Sequence, residues 1–519
     1  MPDTTKRALV SVSDKQGLIP FVKELVRMGY EILSTGGTAK TLREAGIPVK
    51  AVSEFTGSPE ILDGRVKTLH PKIHAGLLNR RNNPDHQKQM QEYQLENIDV
   101  VVVNLYPFEE TISKPGVSLE TCIENIDIGG PSMLRSAAKN FESVTVIANP
   151  ARYESVLAEM KSHNGDTTYE TRAILAGEVY SHTAYYDSLI AQYFRTNVNK
   201  LTEYPEKLPL GFKKVQSMRY GENPHQSAAF YKSTNKVHPS LADLKQLQGK
   251  ELSFNNLFDM DAALQCVMEF ETPACVIVKH ANPCGVALGK DTLDAYLRAL
   301  EADPVSAFGG IVAINTTLDE AAAEKMSKKF LEVIIAPEIT EGAAQILSAK
   351  ENLRVVLTGN WTLGNKPSES TLRYVLGGLL IQDCDSALWD ESKLQVVTKV
   401  QPTSEQRNDL KFAWTIVKYL KSNAISIAKD NVTLGLGMGQ TNRVDAARHA
   451  ITRAGDKVMG AVMASDAYFP YNDTVLEAAK AGIKAIIQPG GSKKDQDSID
   501  ACNEHGIAMV FTGMRHFRH

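Results

Sequence analysis

Cysteine is scarce: the 519 residues hold six, at 122, 266, 275, 284, 384 and 502, with no paired framework. A disulfide-stapled secreted architecture is excluded, and the pattern fits a reducing compartment. Long hydrophobic runs are missing, and the first stretch, MPDTTKRALVSVSDK, has no apolar signal core. The expected location is therefore the cytoplasm, away from any membrane. Charge of one sign never accumulates, since 57 basic residues stand against 61 acidic ones for a net charge of -4. General nucleic-acid or membrane-surface binding is not expected, so an anionic ligand must be held by a local cluster. What is present is an ordinary globular composition in a chain long enough for two to four domains.

The first 200 residues alternate strand and helix. RALVSVS reads as a buried strand, GLIPFVKELVRMG as an amphipathic helix, and YEILSTGG as a strand ending in glycines. TAKTLREAG, closed by Gly46, is the next helix. DVVVVNLYP and SVTVIAN are later strands, separated by a helix from about Pro131 to Asn140. Repeated βα units predict a parallel sheet with helices on both faces. A long helix over about 167–196 leads into the polar, proline-bearing TNVNKLTEYPEKLPLG, which reads as a linker. Beyond it, ACVIVKHANPCGVALGKDTLDAYLRALEADP is echoed about 150 residues later by AISIAKDNVTLGLGMGQTNRVDAARHAITRAG. Two related α/β subdomains are expected.

Polar clusters gather where strands end. STGGTAK (34–40) offers glycines and a helix start to an anion, or is simply a tight βα turn. SVSDK contributes Ser13, Asp14 and Lys15, and DGRVKTLHPKIHAG adds Arg65, Lys67, His70 and Lys72. NLYPF places Asn104 and Tyr106, and NIDIGGPSMLRSAAKN places Asp127 before a helix carrying Arg135 and Lys139. In open α/β sheets ligands gather at the carboxyl ends of strands, which favours a phosphate-bearing ligand over a solvated loop.

VIVKHANPCG (276–285) sets histidine, lysine and cysteine after a strand. A zinc deaminase needs His-x-Glu and then Pro-Cys-x-x-Cys. Here Asn282 stands in place of the glutamate and Ala287 in place of the second cysteine, so no zinc site is expected. Cys284 is a buried small residue or a nucleophile, and Lys279 with His280 is a proton-transfer pair or a structural feature.

Fourteen motifs then line up in order: SVSDK, STGGTAK, GRVKTLHP, NLYPF, IDIGG, AAKN, RYGENPHQ, VKHANPCG, SAFGG, KSNAI, GQTNR, SDAYFPY, QPGGS and RHFRH. Together they resemble, along essentially the whole chain, the bifunctional purine-biosynthesis family that couples AICAR transformylase to IMP cyclohydrolase. The resemblance implies a cyclohydrolase domain over 1–200 with a methylglyoxal-synthase-like parallel-sheet fold, and a linker over 201–212. It implies a transformylase region over 213–519, built from two cytidine-deaminase-like α/β subdomains at about 213–370 and 371–519. The implied reactions are formyl transfer from 10-formyltetrahydrofolate to AICAR, giving FAICAR, and cyclodehydration of FAICAR to IMP. A homodimer without metal is implied as well.

By resemblance, Ser13, Asp14, Lys15, Thr35, Gly36, Gly37, Thr38, Arg65, Val66 and Thr68 hold the nucleotide, chiefly its phosphate. Val103, Asn104 and Ile128 border the base with Asp127, while Lys139 matches the acid/base residue with Lys67, Tyr106 and Asp127 as partners. His280 matches the proton acceptor of formyl transfer, and Lys279 suits the oxyanion and leaving group. Arg219, Tyr220, Gly309, Glu332, Asn423, Arg443, Asp473 and Arg515 match AICAR contacts. Val444, Tyr468, Lys493 and Lys494 fall where the family meets folate. Departures are few: Met438 stands where a small residue is common, Tyr468 replaces a phenylalanine, Asn472 replaces a basic residue, and Glu332 stands where either acid occurs. A non-catalytic nucleotide sensor and a nucleoside deaminase are the rival readings.

Overall fold

The computed structural model describes residues 5–201, 203–234, 238–361, 370–387 and 389–519. Thr202 of the expected linker and residues 362–369, beside the expected subdomain boundary, lie outside the described residues. The chain divides into two compact units, Met1–Lys213 and Lys214–His519.

In the first unit β1 (Lys6–Ser11), β2 (Tyr30–Ser34), β3 (Lys50–Ala51), β4 (Val100–Val103) and β5 (Thr145–Ile147) form one sheet in the order β3-β2-β1-β4-β5. Every pairing is parallel. The four valines of β4 are all buried, as a strand covered on both faces requires. Val10 of β1 pairs with Ser34 on one side and Val102 on the other. The segments that follow β1, β2 and β4 therefore leave the sheet at one edge. The chain moves outward from β1 in opposite directions through β2 and β4, which opens a crevice at that edge.

The helix expected from Pro131 starts at Gly129 and runs to Lys139. Its earlier start follows from Asp127, whose carboxylate accepts the Gly130 amide at 2.8 Å and draws both glycines into the first turn. Tyr169–Tyr193 forms the long helix, which continues as a π-helical turn, Phe194–Val198. Short helices at Val52–Thr56, Phe108–Ile112 and Leu119–Glu124 have too few turns to announce themselves by periodicity.

The second unit is built on a 12-stranded sheet. At its centre Asn282–Leu288 meets Val432–Gly437, antiparallel, through Ala287 and Val432. Outward from Asn282–Leu288 lie Ala274–Lys279, Gly310–Ile314, Leu331–Ala336, Arg354–Leu357 and Lys245–Gln248. Outward from Val432–Gly437 lie Ile425–Lys429, Val462–Ser465, Ala485–Gln488, Ala508–Phe511 and Gln395–Val396. The halves thus repeat one strand order about the central contact.

Alternation divides the core between two faces. Ala274, Val276 and Val278 join the cluster that contains Trp414, while Cys275 and Ile277 face the opposite cluster. Helices Phe254–Val267 and Ser404–Val417 cover the first face. Thr292–Ala302 and Arg443–Ala454 pack behind the hairpins on the other. Gly285 and Gly435 permit that packing: a Cβ would stand 2.1 Å from the Ala299 carbonyl oxygen in one case and 2.0 Å from that of Ala450 in the other. Among the described residues no helix is long and apolar enough to cross a membrane.

Candidate active sites

The crevice of the first unit is a cavity of about 650 Å³, within the range of small-ligand sites. It gathers Ser13, Lys15, Thr35, Gly36, Gly37, Thr38, Arg65, Lys67, Thr68, Val103, Asn104, Tyr106, Asp127 and Ile128 from five separate loops. Thr35 occupies the N-cap of helix Gly36–Glu44 without a side-chain bond to it. The first-turn amides are left uncapped, and the helix dipole adds positive potential. The Lys67 ammonium lies over this turn: a Cβ on Gly36 would be 3.9 Å from Nζ and one on Gly64 4.0 Å. This end of the cavity suits a phosphate.

Asp127 lines the same cavity. Burial raises its carboxyl above the ordinary carboxylate range, opposed by the Gly130 and Tyr106 amides and by Lys67. Gly130 lets the carboxylate in, since a Cβ there would come within 2.5 Å of Oδ2. Tyr106 stays 40% exposed, so its hydroxyl can meet a ligand.

Other expected contacts have structural duties. Asn104 lines the cavity, but its Oδ1 accepts the Ser13 and Asp14 amides at 2.6 and 2.9 Å, and its Nδ2 donates to the Asp14 carbonyl at 2.9 Å. Thr38 Oγ1 is shared between the Val12 amide and carbonyl. His70 caps helix Pro71–Leu78 by accepting the Lys72 amide. Arg65 pairs with Glu124. Asp14 and Val66 border this region in sequence without lining the cavity. Lys139 is exposed at the far end of helix Gly129–Lys139, about 15 Å along the axis from Gly129 at 1.5 Å per residue. It too is absent from the lining. Ser11, Asp63, Gly64, Glu124 and Gly129 do line it. Ser11 opens SVSDK at the end of β1, and Asp63 and Gly64 open DGRVKTLHPKIHAG.

In the second unit Lys279 and His280 line a cavity of about 290 Å³ with Asn282, Cys284, Asp303, Met438 and Arg453. Lys279 Nζ donates to the carbonyls of Phe308 and Gly309 at 3.2 and 2.9 Å. A Cβ on Gly309 would lie 3.2 Å from that ammonium and 3.1 Å from Phe330. His280 is exposed and has left-handed backbone, φ 53°. Cys284 donates to the Ile277 carbonyl at 3.4 Å, and burial pushes its thiol up to about 12, which leaves it unsuited to nucleophilic work.

The remaining expected contacts spread along the same edge of the sheet. Glu332 pairs with Arg354 at 2.9 Å and lines a separate, larger cavity of about 750 Å³. Arg443 is buried and bound to Asp466, to Ser465 Oγ at 2.8 Å and to Asn423 Oδ1 at 2.7 Å. Asn423 Nδ2 donates to the Gln440 carbonyl at 2.9 Å. Arg443 and Asn423, expected as ligand contacts, thus hold one another and the strand ends. Asp473 accepts the Thr474 amide at 2.7 Å. Arg219, Arg515, Tyr468, Lys493 and Lys494 are exposed, and Tyr220 and Val444 are half-buried. Asp466 lies within SDAYFPY but is not singled out there, and Asp259 has no local sequence signal. Among the described residues no group of three or more His, Cys, Asp or Glu is placed to hold a metal ion.

Comparison with known proteins gives the family; its two models meet between residues 132 and 137, inside the first unit and not at its boundary. A family model for the MGS-like domain matches residues 17–132, and one for the AICARFT/IMPCHase bienzyme matches residues 137–453. The bifunctional purine biosynthesis protein PurH of Oceanobacillus iheyensis is 56% identical over 515 residues, covering 99% of this chain and 100% of its own. The PurH of Ruminiclostridium cellulolyticum is 54% identical over 514 residues, with coverages of 99% and 100%. That of Bacillus thuringiensis is 56% identical over 514 residues with the same coverages. The crystal structure of ForH is 35% identical, covers 37% of this chain and 98% of its own, and has a TM-score of 0.35. With near-complete matches at this identity, the chain belongs to the AICARFT/IMPCHase bienzyme family and is a bifunctional AICAR formyltransferase and IMP cyclohydrolase.

Proposed function

We propose that the two half-reactions occupy separate sites, ring closure in the first-unit cavity and formyl transfer at the Lys279–His280 strand end. One observation carries this division: each unit has its own cavity lined by its own acid/base groups.

In ring closure the FAICAR phosphate rests on the uncapped turn at Gly36–Thr38 and on Lys67. The carboxamide nitrogen attacks the formyl carbon, and water leaves. Lys67, Tyr106 and Asp127 supply the charge stabilisation and proton movement this requires. Lys139, which the resemblance puts in the same role, stands outside this lining, so its part is settled by substitution.

In formyl transfer the AICAR amine attacks the formyl carbon of 10-formyltetrahydrofolate while His280 takes the amine proton. Lys279, aimed by two carbonyls, stabilises the oxyanion and protonates the departing folate nitrogen. Val444, Tyr468, Lys493 and Lys494 face the folate in this reading, and Arg219, Tyr220, Asp473 and Arg515 the ribotide. The missing glutamate and second cysteine support formyl transfer without metal on two zinc-free deaminase-like repeats.

A cytoplasmic homodimer completes the reading. Lys279 and Asp466 stand four strands apart, about 19 Å at the usual strand spacing. The hairpin formed by Thr371–Val375 and Gly378–Gln382 exposes Tyr374, Val375, Leu376 and Leu380, an apolar surface that calls for a cover.

The test assays His280→Ala, Lys67→Ala and Lys139→Ala for both half-reactions. His280→Ala is expected to lower formyl transfer by about 10²–10⁴-fold with ring closure intact, and Lys67→Ala to do the reverse. Loss of both activities in either folded variant would sink the two-site reading.

A further inference from the structure

His280 and Ala281 both sit in left-handed backbone, with φ of 53° and 57°. Residues with a Cβ hold this conformation only where their surroundings impose it. The two-residue hairpin that joins Lys279 to Asn282 calls for it, and two side chains brace it. The Asp259 carboxylate, on helix Phe254–Val267, accepts the Ala281 amide at 2.6 Å. Asn282 Nδ2 donates to the His280 carbonyl at 2.8 Å.

The same turn recurs in the second half of the sheet. Asp430 and Asn431 have φ of 54° and 55°. Asp409, on helix Ser404–Val417, accepts their amides at 3.0 and 2.8 Å. The residues lie 150 positions apart, so the clamp belongs to the repeat. Only the first copy carries an imidazole. Lys279 is aimed by a different device, the Phe308 and Gly309 carbonyls, so loosening the clamp releases His280 and leaves Lys279 in place.

We propose that Asp259 is a positioning residue for formyl transfer: it fixes the left-handed turn that directs His280 at the reacting amine. Asp409 performs the same backbone task with no catalytic consequence. The inference rests on the assignment of His280 as the proton acceptor. A base acts only within hydrogen-bond reach of its proton, and a displacement of about 1 Å can cost about 10²-fold in rate.

The repeat supplies a matched control. Asp259→Ala, Asp409→Ala and His280→Ala are made in the full chain and assayed for formyl transfer and thermal unfolding. Asp259→Ala is expected to lower kcat for formyl transfer by about 10- to 100-fold while KM for AICAR is unchanged. Asp409→Ala should lower Tm as much as Asp259→Ala does and leave kcat within about twofold. In a His280→Ala background, Asp259→Ala should add no further loss, because the two act through one group. Equal kcat losses in the two aspartate variants, or a wild-type kcat in Asp259→Ala, would overturn the proposal. Full formyl transfer by His280→Ala would remove the underlying assignment and the proposal with it. If an alanine variant fails to fold, Asp259→Asn against Asp409→Asn makes the same comparison, since each amide keeps one acceptor and loses the charge.

Discussion

Asn104 holds Ser13: its Oδ1 accepts the Ser13 amide at 2.6 Å across 91 positions of sequence. With the two bonds to Asp14, one side chain joins the loop after β1 to the end of β4 at the mouth of the cavity. Asn104→Ala removes all three bonds. Ring closure is expected to fall by about tenfold or more because the loop drifts from its ligand, while formyl transfer stays at the parent rate. Steady-state assays of the two half-reactions check this.

Asp127 gives a pH signature. Its carboxyl is raised by burial, so its contribution to stability is fully present below the unfolded value of about 3.9. That contribution is lost as pH rises through the higher folded value. Asp127→Asn cannot ionise, so its stability relative to the parent should increase from about pH 4 to pH 7. Amide hydrogen exchange at Val100–Val103, read in both proteins across that range, reports the difference. A fall in the variant's stability relative to the parent with rising pH would contradict the raised carboxyl.

The Arg443–Asp466 pair is almost wholly buried, with side chains 5% and 0% exposed. Removing one partner strands the other charge and should cost about 3–5 kcal/mol. Arg443→Met is expected to unfold at markedly lower denaturant, followed by the fluorescence of buried Trp414. Arg443→Met with Asp466→Asn should recover part of the loss, since the stranded carboxylate is then gone.

Gly309 sits at φ 65° beneath Lys279 and Phe330. Gly309→Ala combines a strained backbone with a Cβ crowding the ammonium. Formyl transfer is expected to fall by about tenfold or more, with ring closure unchanged. A parent-like formyl-transfer rate would show that the Lys279 position tolerates the shift.

Metal removal is expected to be without effect. Protein treated with a chelator and found free of zinc by elemental analysis should keep its formyl-transfer rate. Loss of that rate, restored by added zinc, would reverse the reading of VIVKHANPCG.

Local chemistry makes much of this protein legible in its sequence. STGGTAK reads as a candidate anion cradle because its glycines, amides and helix start are contiguous, and in the structure Thr35–Thr38 line the cavity with Lys67 over Gly36. The 150-residue echo was readable because strand, turn and helix recur in the same order. The helix starts at Gly129, two residues before the expected Pro131, since the bond that sets it comes from the Asp127 side chain and not from helix propensity.

By itself, then, the sequence determined the parallel sheet of the first unit, the paired halves of the second and the residue types that meet at the strand ends. These follow from periodicity and from chemistry carried by neighbouring residues. Only the tertiary structure decided which of those polar groups remain free to act. Asn104 is committed to Ser13 and Asp14, Arg443 to Asp466 and Asn423, and Lys139 stands outside the cavity lining. The clamp of Asp259 on Ala281 spans 22 positions and has no local signature. A buried donor or acceptor must find a partner, and that partner is chosen by how helices and strands pack, which a linear pattern does not specify.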